Sequence, residues 1–122
     1  MLRPPSASRL QAAERGRHAE VRAQAYLTQQ GLQLIERNFS CRWGEIDLIM
    51  RQKNIVVFIE VRHRTHSSYG DAAASVSLAK QTRLWRSAEQ YLQRYAQCPP
   101  CRFDLIAFDG EQISWLQDVI QR

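Results

Sequence analysis

The chain has 122 residues, 44% of them hydrophobic and 24% charged, a balance that suits one soluble globular domain and excludes a disordered or fibrous chain. No apolar stretch approaches the roughly 18 residues of a membrane span, and the opening MLRPPSASR lacks the apolar segment of a secretory signal, so the sequence points to the cytoplasm with no membrane partner. The formal charge is +5 and fifteen of the seventeen basic residues are arginine, which favours a polyanion partner such as nucleic acid, although genomic base composition also enriches arginine.

Residues 1–8 read as a flexible tail of Pro, Ser and Arg, and residues 9–122 as a single domain. Arg9 to Gln30 is predicted as a helix rich in Ala, Gln, Arg and Glu and closed by Gly31. Its inward stripe runs Ala13, Gly16, Ala19, Glu20, Ala23, Tyr26 and Leu27. Glu20 is the odd member: either a ligand aimed into a site or an acid paired with a buried arginine. Arg9, Arg15, Arg17 and Arg22 on the outer face could meet phosphate or solvent.

Leu32 to Asn38 reads as a strand, and Phe39 to Trp43 as its connection to the next element. Gly44 to Arg64 then forms two β-rich halves around Gln52, Lys53 and Asn54, the pattern of an antiparallel hairpin. Alternation puts Glu45, Asp47 and Ile49 on one face and Ile46, Leu48 and Met50 on the other. A turn centred on Lys53 and Asn54 sets Asp47 opposite Glu60 and Glu45 opposite Arg62. Facing carboxylates repel, by roughly 0.2–1 kcal/mol or more when buried. A divalent cation such as magnesium would relieve that repulsion, because hard cations take carboxylate oxygens. The other reading has both acids at a solvated edge, each paired with an arginine.

Thr65 to Asp71 is a small, polar loop at the end of the strand bearing Glu60 and Arg62, where it could cover a substrate. His63 and His66 look like surface residues. A second helix is expected from Ser75 to Ala96, with Val76, Leu84, Ala88, Tyr91, Leu92 and Tyr95 inward. Lys80 lies on or beside that stripe, either leaning its stem over the core or pointing into the acids. Cys98-Pro-Pro-Cys101 supplies at most two metal ligands, with Cys41 weak support for a third, and three cysteines suit a reducing compartment. Arg102 to Asp109 and Gln112 to Leu116 read as strands, and the last residues as a helical turn. Trp43, Trp85 and Trp115 could stack on bases or simply pack. The order of elements gives an α/β or α+β class with a mixed sheet flanked by helices. No glycine-rich phosphate loop is present, nor a nucleophile with an obvious histidine partner.

Gly16 with Glu20, GEIDLI at Gly44–Ile49, Glu60-Val61-Arg62, Lys80 and Arg102-Phe103-Asp104 together resemble the YraN-like family of uncharacterised bacterial proteins. The resemblance runs from about Gly16 to Leu116. That family looks like a branch of the restriction-endonuclease-like, or PD-(D/E)XK, superfamily and is similar to archaeal Holliday junction resolvases. The resemblance implies an α/β fold with an αβββαβ core. It also implies a magnesium- or manganese-dependent endonuclease acting on DNA, branched DNA included. Asp47 matches the motif aspartate, Glu60 the glutamate and Glu20 an acid on the first helix, so these three would be the metal ligands. Position 62 departs from the motif, with arginine where lysine is expected. Arginine stays protonated and is no general base, but it holds phosphate. Lys80 would supply the relocated ammonium, and Glu45 would orient Arg62. Arg17, Arg64 and Arg83 are further candidates for nucleic-acid contact. Asp104 reads as structural. A homodimer would suit a symmetric junction, although no interface signature stands out. The competing reading, supported by Arg62, is a non-catalytic nucleic-acid-binding module on the same fold.

Overall fold

The computed structural model describes residues 7–64 and 76–121, without the side chains of residues 7–13, Arg15 and Arg64. The expected loop at Thr65–Asp71 with His66, residues 1–6 of the expected tail, and the side chains of Ala13 and Arg64 lie outside the described residues. Helix α1 spans Ala7–Gln29, strands β1 to β3 span Gln33–Cys41, Gly44–Gln52 and Ile55–Arg64, helix α2 spans Leu78–Leu92, and β4 and β5 span Cys101–Asp109 and Gln112–Leu116. The five strands form one sheet in sequence order. β3 and β4 are parallel, with α2 between them in the chain, and the other pairs are antiparallel. This is an α/β fold with a mixed sheet, consistent with a restriction-endonuclease-like core.

Each sheet face buries one apolar layer. Ala19, Ala23 and Leu27 of α1 pack on Leu48, Met50, Val57, Ile59 and Phe108. Leu84, Trp85, Ala88 and Tyr91 of α2 pack on Ile49, Val56, Phe58 and Phe103. Small residues on α1 let its backbone approach the sheet, while α2 contributes bulk, with the Phe58, Trp85, Tyr91 and Phe103 rings in edge-on or tilted contact.

Local chemistry explains the helix ends. Gly31, at φ 99°, closes α1, and Leu32 N donates to Leu27 O at 3.0 Å while Gly31 N donates to Thr28 O at 3.1 Å. α1 begins at Ala7, two residues inside the expected tail. α2 is shorter than expected at both ends. Ser77 is extended and its hydroxyl accepts from Lys80 N at 3.1 Å, which starts the helix at Leu78. Beyond Leu92 the bonds tighten to i→i−3, as in Tyr95 N to Leu92 O at 3.1 Å. Val76 and Tyr95 still pack on the α2 layer, from outside the helix.

β1 is longer than expected. Phe39, Ser40 and Cys41 pair with Ile46, Glu45 and Gly44, which leaves Arg42 and Trp43 as a two-residue turn. The expected helical turn at the C-terminus is instead an irregular tail that bends at Asp118 and Ile120, tied down by Asp118 N to Asp104 Oδ1 at 2.8 Å, Val119 N to Phe103 O at 3.1 Å and Trp85 Nε1 to Ile120 O at 2.9 Å. Those bonds satisfy backbone groups that a single helical turn would leave to water.

The β2–β3 hairpin turns at Lys53 and Asn54, and its register runs from Gln52↔Ile55 to Leu48↔Ile59. Continued by one residue, it sets Asp47 opposite Glu60. Strict alternation fails at that point. Ile46 packs with its partner Phe39 on the α2 side, whereas Leu48 and Met50 pack on the α1 side. The break coincides with Asn38, which lies between Arg37↔Leu48 and Phe39↔Ile46 and therefore opposite Asp47. Asn38 has φ 53°, and a left-handed residue inside a strand turns the following side chains to the other face. A bulge between Leu34 and Glu36 shifts the register upstream and brings Asn38 to that position.

Candidate metal centre

Where the strand pattern breaks, carboxylates collect. One oxygen from each of Glu20 on α1, Glu45 and Asp47 on β2 lies within 4.8 Å of the others. Asn38 Nδ2 donates to Glu20 Oε1 and to Glu45 Oε1, each at 2.7 Å, so one amide clips the helix acid to the strand acid. Val61 N donates to Asp47 Oδ2 at 2.8 Å, which takes the place of the next ladder bond and points the carboxylate along the sheet end.

Asp47 is held in a hostile setting. Burial pushes its carboxyl up most, the Glu60 charge next, and Glu20 and Glu45 add to it; the Val61 N–H pulls the other way, and the balance lies at about 8. Asp47 is therefore largely protonated near neutrality. The donor set fits a hard divalent ion: three oxygen donors from two elements converge, and the most buried of them has no cation of its own.

Glu60 stands apart from the trio. It is 5% exposed, and its Oε1 accepts from Lys80 Nζ at 2.6 Å, with Arg62 Nε 4.0 Å away. Lys80 thus points into the acids, one of its two expected orientations. Glu45, expected to orient Arg62, is held by Asn38 instead, and Arg62 turns towards Glu60. A cleft of about 350 Å³ opens between β2 and α2, lined among others by Trp43, Glu45, Asp47, Glu60, Lys80 and Arg83.

The sequence model described as Uncharacterised protein family UPF0102 matches residues 19–108, a span that holds Glu20, Glu45, Asp47, Glu60 and Lys80. The chain belongs to this family. It is the YraN-like family whose motifs the sequence resembles. A UPF0102 protein of Janthinobacterium sp. (strain Marseille) is 52% identical over 120 residues, covering 98% of this chain and 94% of its own. One from Alkalilimnicola ehrlichii is 56% identical over 106 residues, 85% of this chain and 84% of its own. A third, from Halorhodospira halophila, is 46% identical over 117 residues, 96% and 95% of the two chains.

In this UPF0102 chain most of the other candidates fall away from the centre. Arg17 is exposed on α1 and is not among the residues lining the cleft, whereas Arg83 is. Arg64 ends β3, with its side chain outside the described residues. His63 lies exposed beside Phe108, ring centres 5.5 Å apart. Cys41 and Cys98 are free thiols, and Cys101 opens β4. The CxxC segment has a backbone role: Val56 N donates to Pro100 O at 2.9 Å where β4 begins. Trp85 and Trp115 pack, each with its indole N–H satisfied. Among the described residues, no helix is long and apolar enough to cross a membrane.

Asn38 is the residue that sequence reasoning missed. Asn is disfavoured inside strands and tolerates the left-handed region, and its place at the end of an apolar strand was the available signal.

Proposed function

We propose that this protein is a metal-dependent endonuclease that hydrolyses phosphodiester bonds in DNA. The observation that carries the reading is the carboxylate trio of Glu20, Glu45 and Asp47 beside the Glu60–Lys80 pair, all at one end of the sheet. Glu20, Glu45 and Asp47 would hold magnesium or manganese, with Glu60 next to them. Bound there, such an ion supplies Lewis-acid polarisation of the phosphate and a lowered pKa for the attacking water.

The chain's own residues divide the remaining work. Asn38 keeps two carboxylates turned towards one point. Glu60 aims Lys80, whose ammonium meets the phosphate and offsets charge that develops on its oxygens as water adds and the P–O bond breaks. Lys80 thus supplies the ammonium that Arg62 does not, while Arg62 holds a fixed positive charge 4.0 Å from the same Glu60 oxygen. Branched DNA is the substrate suggested by the superfamily resemblance.

The second reading is a non-catalytic DNA-binding module, and Asn38 favours it, since an amide between Glu20 and Glu45 eases their repulsion without an ion. A cleavage assay on branched, single-stranded and duplex DNA with magnesium or manganese separates the two. Cutting by wild type and none by Asp47→Ala supports the enzyme. Binding without cutting in either metal sinks it in favour of the module.

A further inference from the structure

The β1–β2 turn carries a second cluster, which the acid centre does not use. Arg42 and Trp43 alone make the turn. The guanidinium carbon of Arg42 lies 4.4 Å from the centre of the Trp43 ring, and that of Arg86 from α2 lies 4.6 Å from it. Arg83, nearly one turn earlier on α2, lines the acid cleft together with Trp43. Arg42, Arg83 and Arg86 are all exposed. Among the described residues, no carboxylate lies within ion-pair distance of any of the three.

Two like charges at one indole, with Arg83 beside them on the cleft wall, repel each other, and an exposed cation–π contact offsets little of that. What the arrangement does is orient. A guanidinium held over a ring is fixed in place without using up its N–H groups, the donors that grip a phosphate. The neighbouring carboxylates repel a phosphodiester, so something beside them must hold the strand in place. With guanidinium groups already over its ring, Trp43 serves as their platform rather than as a seat for a base.

We propose that Arg42, Arg83 and Arg86, arranged around Trp43, form a clamp for the phosphate backbone of DNA at the mouth of the acid cleft. This rests on the DNA-directed reading above and names the residues that grip the strand. Lys53 is the matched control. It is exposed at the opposite end of β2, about 30 Å away at 3.3 Å per residue, and carries the same charge.

The test is fluorescence anisotropy with a labelled single strand and a labelled duplex, in EDTA, across a salt series. The double variant Arg42→Gln with Arg86→Gln is expected to bind at least about tenfold more weakly at low salt. Its slope of log affinity against log salt becomes shallower by roughly 1.8 on duplex or 1.4 on single strand, the values for two lost phosphate contacts, and the match tells which form is clamped. Lys53→Asn keeps the wild-type slope. Trp43→Ala weakens binding with every arginine present, and Trp43→Phe recovers part of it, which a diffuse charge effect would not produce. A double variant with the wild-type slope overturns the clamp, whatever the nuclease assay shows. Wild type that binds through these residues but cuts nothing keeps the clamp and removes the enzyme reading. Wild type that binds neither probe at low salt overturns both.

Discussion

Two aspartates on the same sheet, one fully buried and one half-buried, have opposite surroundings. Asp104 on β4 is fully buried, and its carboxylate accepts from Arg102 Nε at 3.0 Å, Trp115 Nε1 at 2.9 Å and Asp118 N at 2.8 Å. Asp47 on β2 has one backbone donor, and its charged neighbours are acids. The first is a carboxylate matched to a cation and neutral donors, so it ties β4, β5 and the C-terminal tail together. The second is a carboxylate whose charge the fold opposes. Burial alone does not distinguish a structural acid from a functional one; the sign of what surrounds it does.

The largest expected effect is at Asp104. Asp104→Ala leaves the Arg102 guanidinium, only 14% exposed, without its partner, and chemical denaturation should show a loss of about 3–5 kcal/mol. Asp47→Asn should do the reverse. On the endonuclease reading it abolishes cleavage, yet near neutrality it costs little stability, because asparagine imitates the protonated acid already present.

The pH dependence sharpens the contrast. Asp47 titrates at about 8 when folded against 3.8 as a free side chain, so between these values the folded state holds a proton that the unfolded state has lost. Wild-type stability without metal should therefore fall as pH rises across that window and level off above it, and Asp47→Asn should flatten that fall. Metal binding must displace the same proton, so the rise in Tm on adding magnesium should be larger at about pH 9 than at about pH 6. An equal rise at both would separate Asp47 from the ion.

Asn38→Gly keeps the backbone free to adopt its left-handed conformation and removes the amide that spans Glu20 and Glu45. Manganese affinity, followed by electron paramagnetic resonance, should drop about 10–100-fold, the usual effect of losing a residue that orients ligands. An unchanged affinity would leave Asn38 a purely structural role. The smallest effect is expected at Lys80, which is one-third exposed. Lys80→Ala leaves Glu60 only the longer contact to Arg62, and denaturation should register about 1–2 kcal/mol while, on the endonuclease reading, cleavage falls far more steeply. A parallel fall in both would make the pair structural.

Much of this was legible in the order of residues. The β2–β3 register followed from the polar break at Lys53 and Asn54, because a hairpin turn sets the pairing of everything that follows it. Glu20 stood out as an acid on a small, apolar helix face, and Asp104 as an acid inside a strand. The Asp104 partners were less visible, since Trp115 and Asp118 reach it from a strand and a tail beyond the next turn. Helix ends were misjudged where a single cap or a tightened last turn decided them, as at Ser77 and Leu92.

The sequence by itself determined the α/β class, the hairpin register, the family and the identity of the acids, because periodicity, turn residues and motif spacing are local properties of the chain. Only the tertiary structure decided how those acids are shared out. It joined Glu45 to Glu20 and Asp47 and gave Glu60 to Lys80, through a bulge in β1 and the left-handed backbone of Asn38. It also gathered Arg42 and Arg86 at Trp43 from a turn and a distant helix. Contacts of that kind depend on how strands and helices meet in space, and no spacing along the chain encodes them.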